Sequence, residues 1–235
     1  MRTTSLLGGI ILLSLFAAAT PALAVGPVDG EFGAVWWAND FTVTEGGLGA
    51  SAEGDAPGYR VELWLFQRFG FHAAAYSSDL DGIGVDSSDY LNLDVLWRAF
   101  SPSDNNYLAI GAGWQQMDLG TIGLDGDTQG PRAILEGRVG LLGPVYFYGL
   151  GSYLPTLDDT SSIDPTLGEF RDMSGYELDA GVSWTIVPFV SLRAGYRTQA
   201  IEYTRSGYVP LPGEPTQMDG EVDSSGYIAG LSFRF

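Results

Sequence analysis

Three sets of residues in this 235-residue chain have the types and spacing to do chemistry. The first is a single histidine, His72, in the stretch Phe69-Gly70-Phe71-His72-Ala73. A histidine works as a general base only when a second group orients it, and the sequence offers no obvious partner for it. The second set is acidic: Asp79, Asp81, Asp86 and Asp89 crowd the run DLDGIGVDSSDY. That run has the density of a calcium loop, but Ile83 and Tyr90 stand where carboxylate ligands would be required, so its plainer reading is a solvated turn. The third set is charged residues at even spacing: Arg60 and Glu62, Asp94 and Arg98, Glu136 and Arg138, Glu177 and Asp179, Arg193 and Arg197, and Arg234. Residues two or four apart share one face of a β-strand. Six arginines meet five carboxylates, so the chemistry they offer is mutual ion pairing.

Strands are the elements that must hold these residues. In Gly175–Ile186, Tyr176, Leu178, Ala180, Val182, Trp184 and Ile186 alternate with Glu177, Asp179, Gly181, Ser183 and Thr185. Asp89–Phe100 sets Leu91, Leu93, Val95 and Trp97 against Asn92, Asp94, Leu96 and Arg98. The closing run GYIAGLSFRF puts Tyr227, Ala229, Leu231, Phe233 and Phe235 on one face. Ten such strands are predicted. Long polar stretches (Asn39–Pro57, Ser78–Ser88, Asp118–Pro131, Pro155–Ser174, Thr204–Asp223) alternate with short turns (Gln67–Gly70, Ser101–Asn106, Gly143-Pro144, Val187-Pro188). Eight strands result if the weakest hairpin, Gly58–Ser77, is left out.

Each predicted strand is near the ~9–11 residues that cross a bilayer at a tilt. Aromatic residues gather at strand ends: Trp36, Trp37, Tyr59, Tyr76, Trp114, Tyr153, Tyr176, Tyr203 and Tyr227 beside the long connections. Phe69, Phe71, Trp97, Phe100, Tyr107, Tyr146, Tyr148, Trp184, Phe189 and Phe233 lie beside the short ones. Two girdles are what a bilayer selects. The fold class predicted is all-β, a transmembrane antiparallel up-and-down β-barrel with short periplasmic turns and long extracellular loops. An even strand number places both termini in the periplasm.

Arg2, the apolar run Leu6–Ala19 and the small-residue site Ala22-Leu23-Ala24 predict a signal peptide over 1–24, leaving 25–235 as the barrel. Formal charge is −18, and loss of Arg2 makes it −19; such an acidic chain repels nucleic acid. Without cysteine there is neither a disulfide framework nor a lipid-modified N-terminal Cys. Strands ~4.8 Å apart and tilted ~40° would enclose a backbone cylinder roughly 20 Å across. The eleven charged residues named above are expected to point inward and fill it, because confined charges must be paired or hydrated. The same charges lining a hydrated channel would instead make a narrow pore for small solutes or ions. His72 is expected near the short-turn end, as a hydrogen-bonding lumen residue.

The hairpin GYELDAGVSWTIVPFVSLRAGYRTQAIEY and the final GYIAGLSFRF carry a resemblance. The chain resembles small bacterial outer-membrane β-barrel proteins, and among them an uncharacterised proteobacterial family of similar length. The resemblance implies that Tyr227, Phe233 and Phe235 belong to an assembly signal read by the barrel-assembly machinery. It also implies surroundings of outer-membrane lipid and lipopolysaccharide, and it brings no catalytic or ligand residues. Enzymes of the wider class, proteases using Asp and His or lipid-modifying enzymes using Ser and His, need those groups at the outer leaflet, where His72 is not expected. The expected role is non-enzymatic: structural, or surface interaction through the acidic loops. No cofactor is expected beyond Ca²⁺ or Mg²⁺ bridging carboxylates such as Asp79, Asp81, Asp86 and Asp89 to lipopolysaccharide phosphates.

Overall fold

The computed structural model describes residues 28–82, 85–103, 105–121, 127–161, 168–207 and 217–235; the expected signal peptide lies outside them. The strands are β1 (Val28–Glu45), β2 (Leu48–Leu65), β3 (Phe69–Gly82), β4 (Val85–Ser103), β5 (Asn106–Thr121) and β6 (Asp127–Gly140). They continue with β7 (Val145–Leu154), the two-residue β8 (Thr160–Ser161), β9 (Glu169–Val187), β10 (Val190–Ser206) and β11 (Gln217–Arg234). All pairings are antiparallel; β8 only adds to the edge of β9. β1 pairs with β11 from Glu31↔Arg234 to Glu45↔Gly220, which closes a ten-stranded barrel. Closure leaves no edge to template another chain. The eight-strand count falls, because β2 and β3 pair from Ala52↔Gly82 to Leu65↔Phe69 within the wall.

Strands overrun the predicted loops. Asn39–Pro57, expected as a connection, is a paired hairpin turning at Gly46-Gly47, whose φ values of 56° and 85° suit glycine. β3 and β4 likewise take up most of 78–88, and β10 and β11 much of 204–223. The physical reason is an inversion of the alternation. On the short-turn half, apolar residues face out: Phe32, Ala34 and Trp36 on β1, and Phe233, Leu231, Ala229 and Tyr227 on β11. Beyond the outer aromatic level the outward face turns polar (Asp40, Thr42 and Thr44; Ser225, Asp223 and Glu221) while Phe41, Val43 and Val222 are buried inside. The wall is therefore lipid-soluble below and built like a water-soluble barrel above.

Parity also corrects the girdles. Trp37, Tyr76 and Tyr203, expected at the long-connection interface, and Tyr107, Tyr146 and Tyr148, expected at the other, are buried on the inward face. Each sits an odd number of residues from a lipid-facing neighbour on its strand, so the pleat turns it inward. Trp36, Tyr59, Trp114, Tyr153, Tyr176 and Tyr227 do face out on one level, and Phe69, Phe71, Trp97, Phe100, Trp184, Phe189 and Phe233 near the other.

Two irregularities matter below. β7 stops at Leu154, and the segment 155–161 replaces it in the outer wall. Leu157 is buried there; its N–H donates to the Met173 carbonyl and that of Asp158 to the Gln129 carbonyl, both at 2.8 Å. The β2–β3 turn holds Phe66 and Gln67 at φ 52° and 56°, a left-handed conformation costing L-residues roughly 1–2 kcal/mol each. Gln67→Gly is expected to stabilise the barrel by about 1 kcal/mol, read as a higher urea midpoint in vesicles. An unchanged or lower midpoint would show that the turn is not strained.

Candidate functional site: the barrel lumen

Inward-facing side chains from all ten wall strands meet in the lumen, and they sort into layers. Nearest the short-turn end, Arg138 from β6 donates twice to Glu62 of β2, one bond measuring 2.6 Å. The Trp64 indole N–H donates to the same carboxylate at 2.6 Å and Arg60 at 3.3 Å. Tyr107 of β5 donates a short bond to Glu136. His72 of β3 stands between the two carboxylates, its Nδ1 3.1 Å from Glu136 and its Nε2 3.9 Å from Glu62, without hydrogen-bond alignment to either. The expectation that His72 lacks an acidic partner is thus corrected: its partners come from β2 and β6, far away in sequence. Arg98 of β4 lies flat between aromatic faces, 3.9 Å from the centre of Trp64 and 4.1 Å from that of Tyr107. Such a desolvated cation–π contact is worth roughly 2 kcal/mol.

One level up, Glu177 of β9 accepts from Arg132 at 3.2 Å and Asn92 at 3.4 Å, and lies 3.3 Å from Arg197. Arg132 also reaches Asp94 at 3.3 Å and Gln115 at 3.2 Å. Arg193 donates to Asp179 at 2.7 Å and stacks 3.5 Å above Tyr148, while Arg197 lies 4.3 Å over Tyr76. Arg234 sits at the short-turn rim, 3.8 Å from Asp29 and 4.0 Å from Glu31. All eleven charged residues singled out in the sequence lie on the inward side, and each has an oppositely charged partner there or an aromatic stack.

The outer half of the lumen has different chemistry. Val35, Trp37, Phe41, Tyr76, Leu80, Tyr90, Met117, Leu154, Leu157, Phe170, Met173, Ile201, Tyr203, Val222 and Ile228 form one apolar cluster. This half is predominantly apolar, whereas an ion-pair network throughout was expected. Two small, partly open voids of about 10 and about 20 Å³ lie among the charged layers, with room for roughly one water in the first and one or two in the second.

Sequence reasoning missed Arg132, although it shares parity with Glu136 and Arg138 on one strand. It also missed Glu31, Gln115, Tyr107, Tyr148 and Trp64, whose roles depend on strands meeting across the lumen. The remaining singled-out residues do not join this cluster. Asp79 and Asp89 face outward on β3 and β4; Asp81 and Asp86 belong to the same strands, and their side chains lie outside the described residues. Tyr227 and Phe233 face lipid, while Phe235 exchanges two 3.0 Å backbone bonds with Gly30 and lays its ring against that glycine.

Glu62, His72 and Glu136 could each present one ligand atom within 4.8 Å of the others, the spacing of a metal centre. Glu62 is already fully engaged, however, while His72 and one oxygen of Glu136 make no hydrogen bond. Arg138, Arg60 and Trp64 take up Glu62, and Tyr107 takes one oxygen of Glu136. A divalent ion would have to displace fixed guanidinium charges, so the set fits an imidazole clamped between carboxylates better than a metal.

No family model matches the sequence, and no curated protein does. The fold is similar to the outer membrane protease OmpT from Escherichia coli, at 12% identity over 92% of this chain and 100% of that chain, with a TM-score of 0.59. Neisserial surface protein A (NspA) aligns over 89% of this chain and 98% of its own at 15% identity and a TM-score of 0.37. OprG from Pseudomonas aeruginosa aligns over 88% and 95% at 13% and 0.38. At these identities the likeness is one of fold, and the OmpT alignment carries it: the chain has the fold of an outer-membrane β-barrel.

Proposed function

We propose that this chain is a plugged, non-conducting barrel of the bacterial outer membrane that acts through its projecting outer wall and not through its lumen. The supporting observation is how the described side chains pack the lumen. Paired charges and stacked aromatics occupy the membrane half, an apolar cluster occupies the outer half, and the two voids of about 10 and about 20 Å³ among the charges hold roughly one or two waters each. An ion crossing this path would have to shed its water among apolar side chains. In a planar bilayer, inserted protein is expected to pass no steady current. An ohmic single-channel conductance would overturn the reading and make the same charges a selectivity lining.

The outer wall is left as the working surface, and it is acidic: Asp40, Glu53, Asp55, Asp79, Asp89 and Glu202 are exposed on it, while most arginines are turned inward. Lipopolysaccharide phosphates would be repelled by that surface unless Ca²⁺ or Mg²⁺ bridged them. Calorimetric titration of the folded protein is expected to show saturable Ca²⁺ binding below millimolar concentration, weakened by Asp79→Asn with Asp89→Asn. Heat no greater than dilution would dispose of the bridging.

The likeness to OmpT favours a second reading, proteolysis. His72, the single histidine of the sequence, stands against it, being 4% exposed and held near the short-turn end away from any outer rim. His72→Ala is expected to leave peptide and lipid hydrolysis at background; loss of a measurable wild-type activity in that variant would establish an enzyme.

A further inference from the structure

Closure removes the sheet edges from the membrane half of the barrel, but the outer wall is interrupted at one place. β7 joins β6 and β9 only as far as Ala133↔Tyr153 and Leu154↔Gly175. Beyond those pairs, residues 127–132 of β6 and 169–174 of β9 run on with no part of β7 between them. The slot they leave is one strand wide and roughly 20 Å long at ~3.3 Å per residue. Pro155 marks where β7 stops, since proline has no N–H to give the ladder.

The strap that fills the slot, 155–161, is held by few bonds. A regular strand would bond both neighbours at alternate residues. Outside the two-residue β8 bridge, the described backbone bonds are one to each side: the Asp158 N–H to the Gln129 carbonyl and the Leu157 N–H to the Met173 carbonyl. The Thr128 hydroxyl adds a bond to the Asp158 carbonyl at 2.7 Å. Leu157 and Thr160 are buried, whereas Pro155, Thr156, Asp158 and Asp159 are exposed. Both flanks have the character of edges. Gln129 turns its carbonyl to the slot, so Pro131, two residues on, faces the same way and has no N–H to leave unpaired. Across the slot, β9 shifts register against β10 between Arg171 and Ser174, and Asp172 sits in that shift at φ 53°. Its N–H is held by the Asp159 side chain of the strap at 3.2 Å. A left-handed aspartate retained beside a sparsely bonded segment marks a place built for exchange.

We propose that this slot is a docking site for an extended peptide of a partner protein, which enters as a strand between β6 and β9 and displaces the strap. Main-chain bonds to two flanking strands would supply affinity, and the alternating side chains would supply specificity. Inward, the peptide meets the apolar cluster that Leu157 now enters with Leu154, Phe170 and Met173, so its alternate residues are apolar. Outward, the slot opens on the acidic wall, and Glu169 and Asp172 outnumber Arg171 on its own rim, so the other residues are polar or basic. The strap is then an internal stand-in that keeps the slot closed until a better-fitting strand arrives.

The inference rests on the reading that the outer wall is the working surface. Its test uses a fluorescein-labelled heptapeptide, Arg-Val-Thr-Leu-Thr-Val-Arg, and protein refolded into phosphatidylcholine vesicles, with folding checked by heat-modifiable gel mobility. Ser161 lies opposite Glu169, and the sequence has no cysteine, so Ser161→Cys with Glu169→Cys gives one disulfide that locks the strap to β9. Leu157→Ser removes the strap's apolar anchor instead. Apparent affinity follows the fraction of slots that are open. Fluorescence anisotropy is expected to show saturable binding to wild type, about tenfold tighter binding to Leu157→Ser, and loss of binding in the oxidised lock that reductant restores. The same peptide N-methylated at alternate residues keeps its charge but not its donors, and is expected not to bind. Binding that ignores the lock, or an N-methylated peptide that binds equally well, would overturn the proposal by showing mere charge attraction. Leu157→Ser binding a fluorescent fatty acid but not the peptide would overturn it and leave the slot to lipid. Should Leu157→Ser not fold, the reversible lock decides alone. Planar-bilayer recording of the same protein reads the plugged-barrel proposal separately, since steady current would overturn that reading whatever the peptide does.

Discussion

Arg138→Ala is expected to cost the folded barrel about 3–5 kcal/mol, the penalty for leaving a buried charge without its partner. Glu62 is 3% exposed and takes two of its bonds from Arg138. After truncation it keeps Trp64, the longer contact to Arg60 and the His72 imidazole 3.9 Å away, none of which replaces the two bonds lost. Urea titration of vesicle-refolded protein would read the loss, with Trp64 fluorescence as a local reporter. Glu62→Gln in the Arg138→Ala background should recover a large part of it, because the uncompensated charge is then gone. Replacing both residues by methionine should be nearly neutral, since well-packed apolar side chains commonly match a buried ion pair. A cost below about 1 kcal/mol for Arg138→Ala would mean that water already solvates Glu62. The lumen would then be wet, and the plugged-barrel reading would fall with the prediction.

The fold was legible where one physical rule governed a whole strand. In the bilayer half, Leu91, Leu93, Val95 and Trp97 must meet lipid, so period-two alternation located β4 and its neighbours directly. The rule lapses at the headgroups. Asp40, Thr42 and Thr44 look like loop to a search for an apolar outward face, and Phe41 and Val43 look misplaced. They become a strand again once the outward face is allowed to be wet and the inward face apolar. Carrying the membrane rule past its boundary made loops of what are hairpins.

The lumen was legible in composition and illegible in pairing. Parity alone placed Arg60, Glu62, Arg138, Glu177 and Arg197 on the inward face, since a pleated strand leaves two choices. Which cation meets which anion depends on closure across the barrel. His72 meets Glu136 over 64 residues of sequence, and Arg138 meets Glu62 over 76. No local spacing encodes such contacts. The aromatic partners were hidden for another reason: Tyr107, Tyr146 and Tyr148 sit close enough to strand ends to read as girdle, and a single step of register separates lipid from lumen.

Gly226→Ala should prevent stable closure of the barrel, with a cost of about 3 kcal/mol or more. A Cβ at this position would lie 1.6 Å from the Ala38 carbonyl oxygen and 2.8 Å from its carbon. Those are backbone atoms, so no rotamer change relieves the clash; β1 and β11 must separate. The place is sensitive, because the β1–β11 ladder already lapses between Trp37↔Ile228 and Asp40↔Ser225, at the level where the alternation inverts. Trp37, fully buried, packs beside it and would move with the seam. Closure joins elements at opposite ends of the chain, the contact with the largest loop entropy to overcome. Gly226→Ala should therefore depress refolding yield as well as stability, visible as loss of the compact, heat-modifiable band. Gly149→Ala is the matched control, for a Cβ there meets nothing within 4 Å. Should both variants unfold at the same urea concentration, the close approach at the seam would be disproved, and β1 and β11 would have to pair in a looser register than the one described.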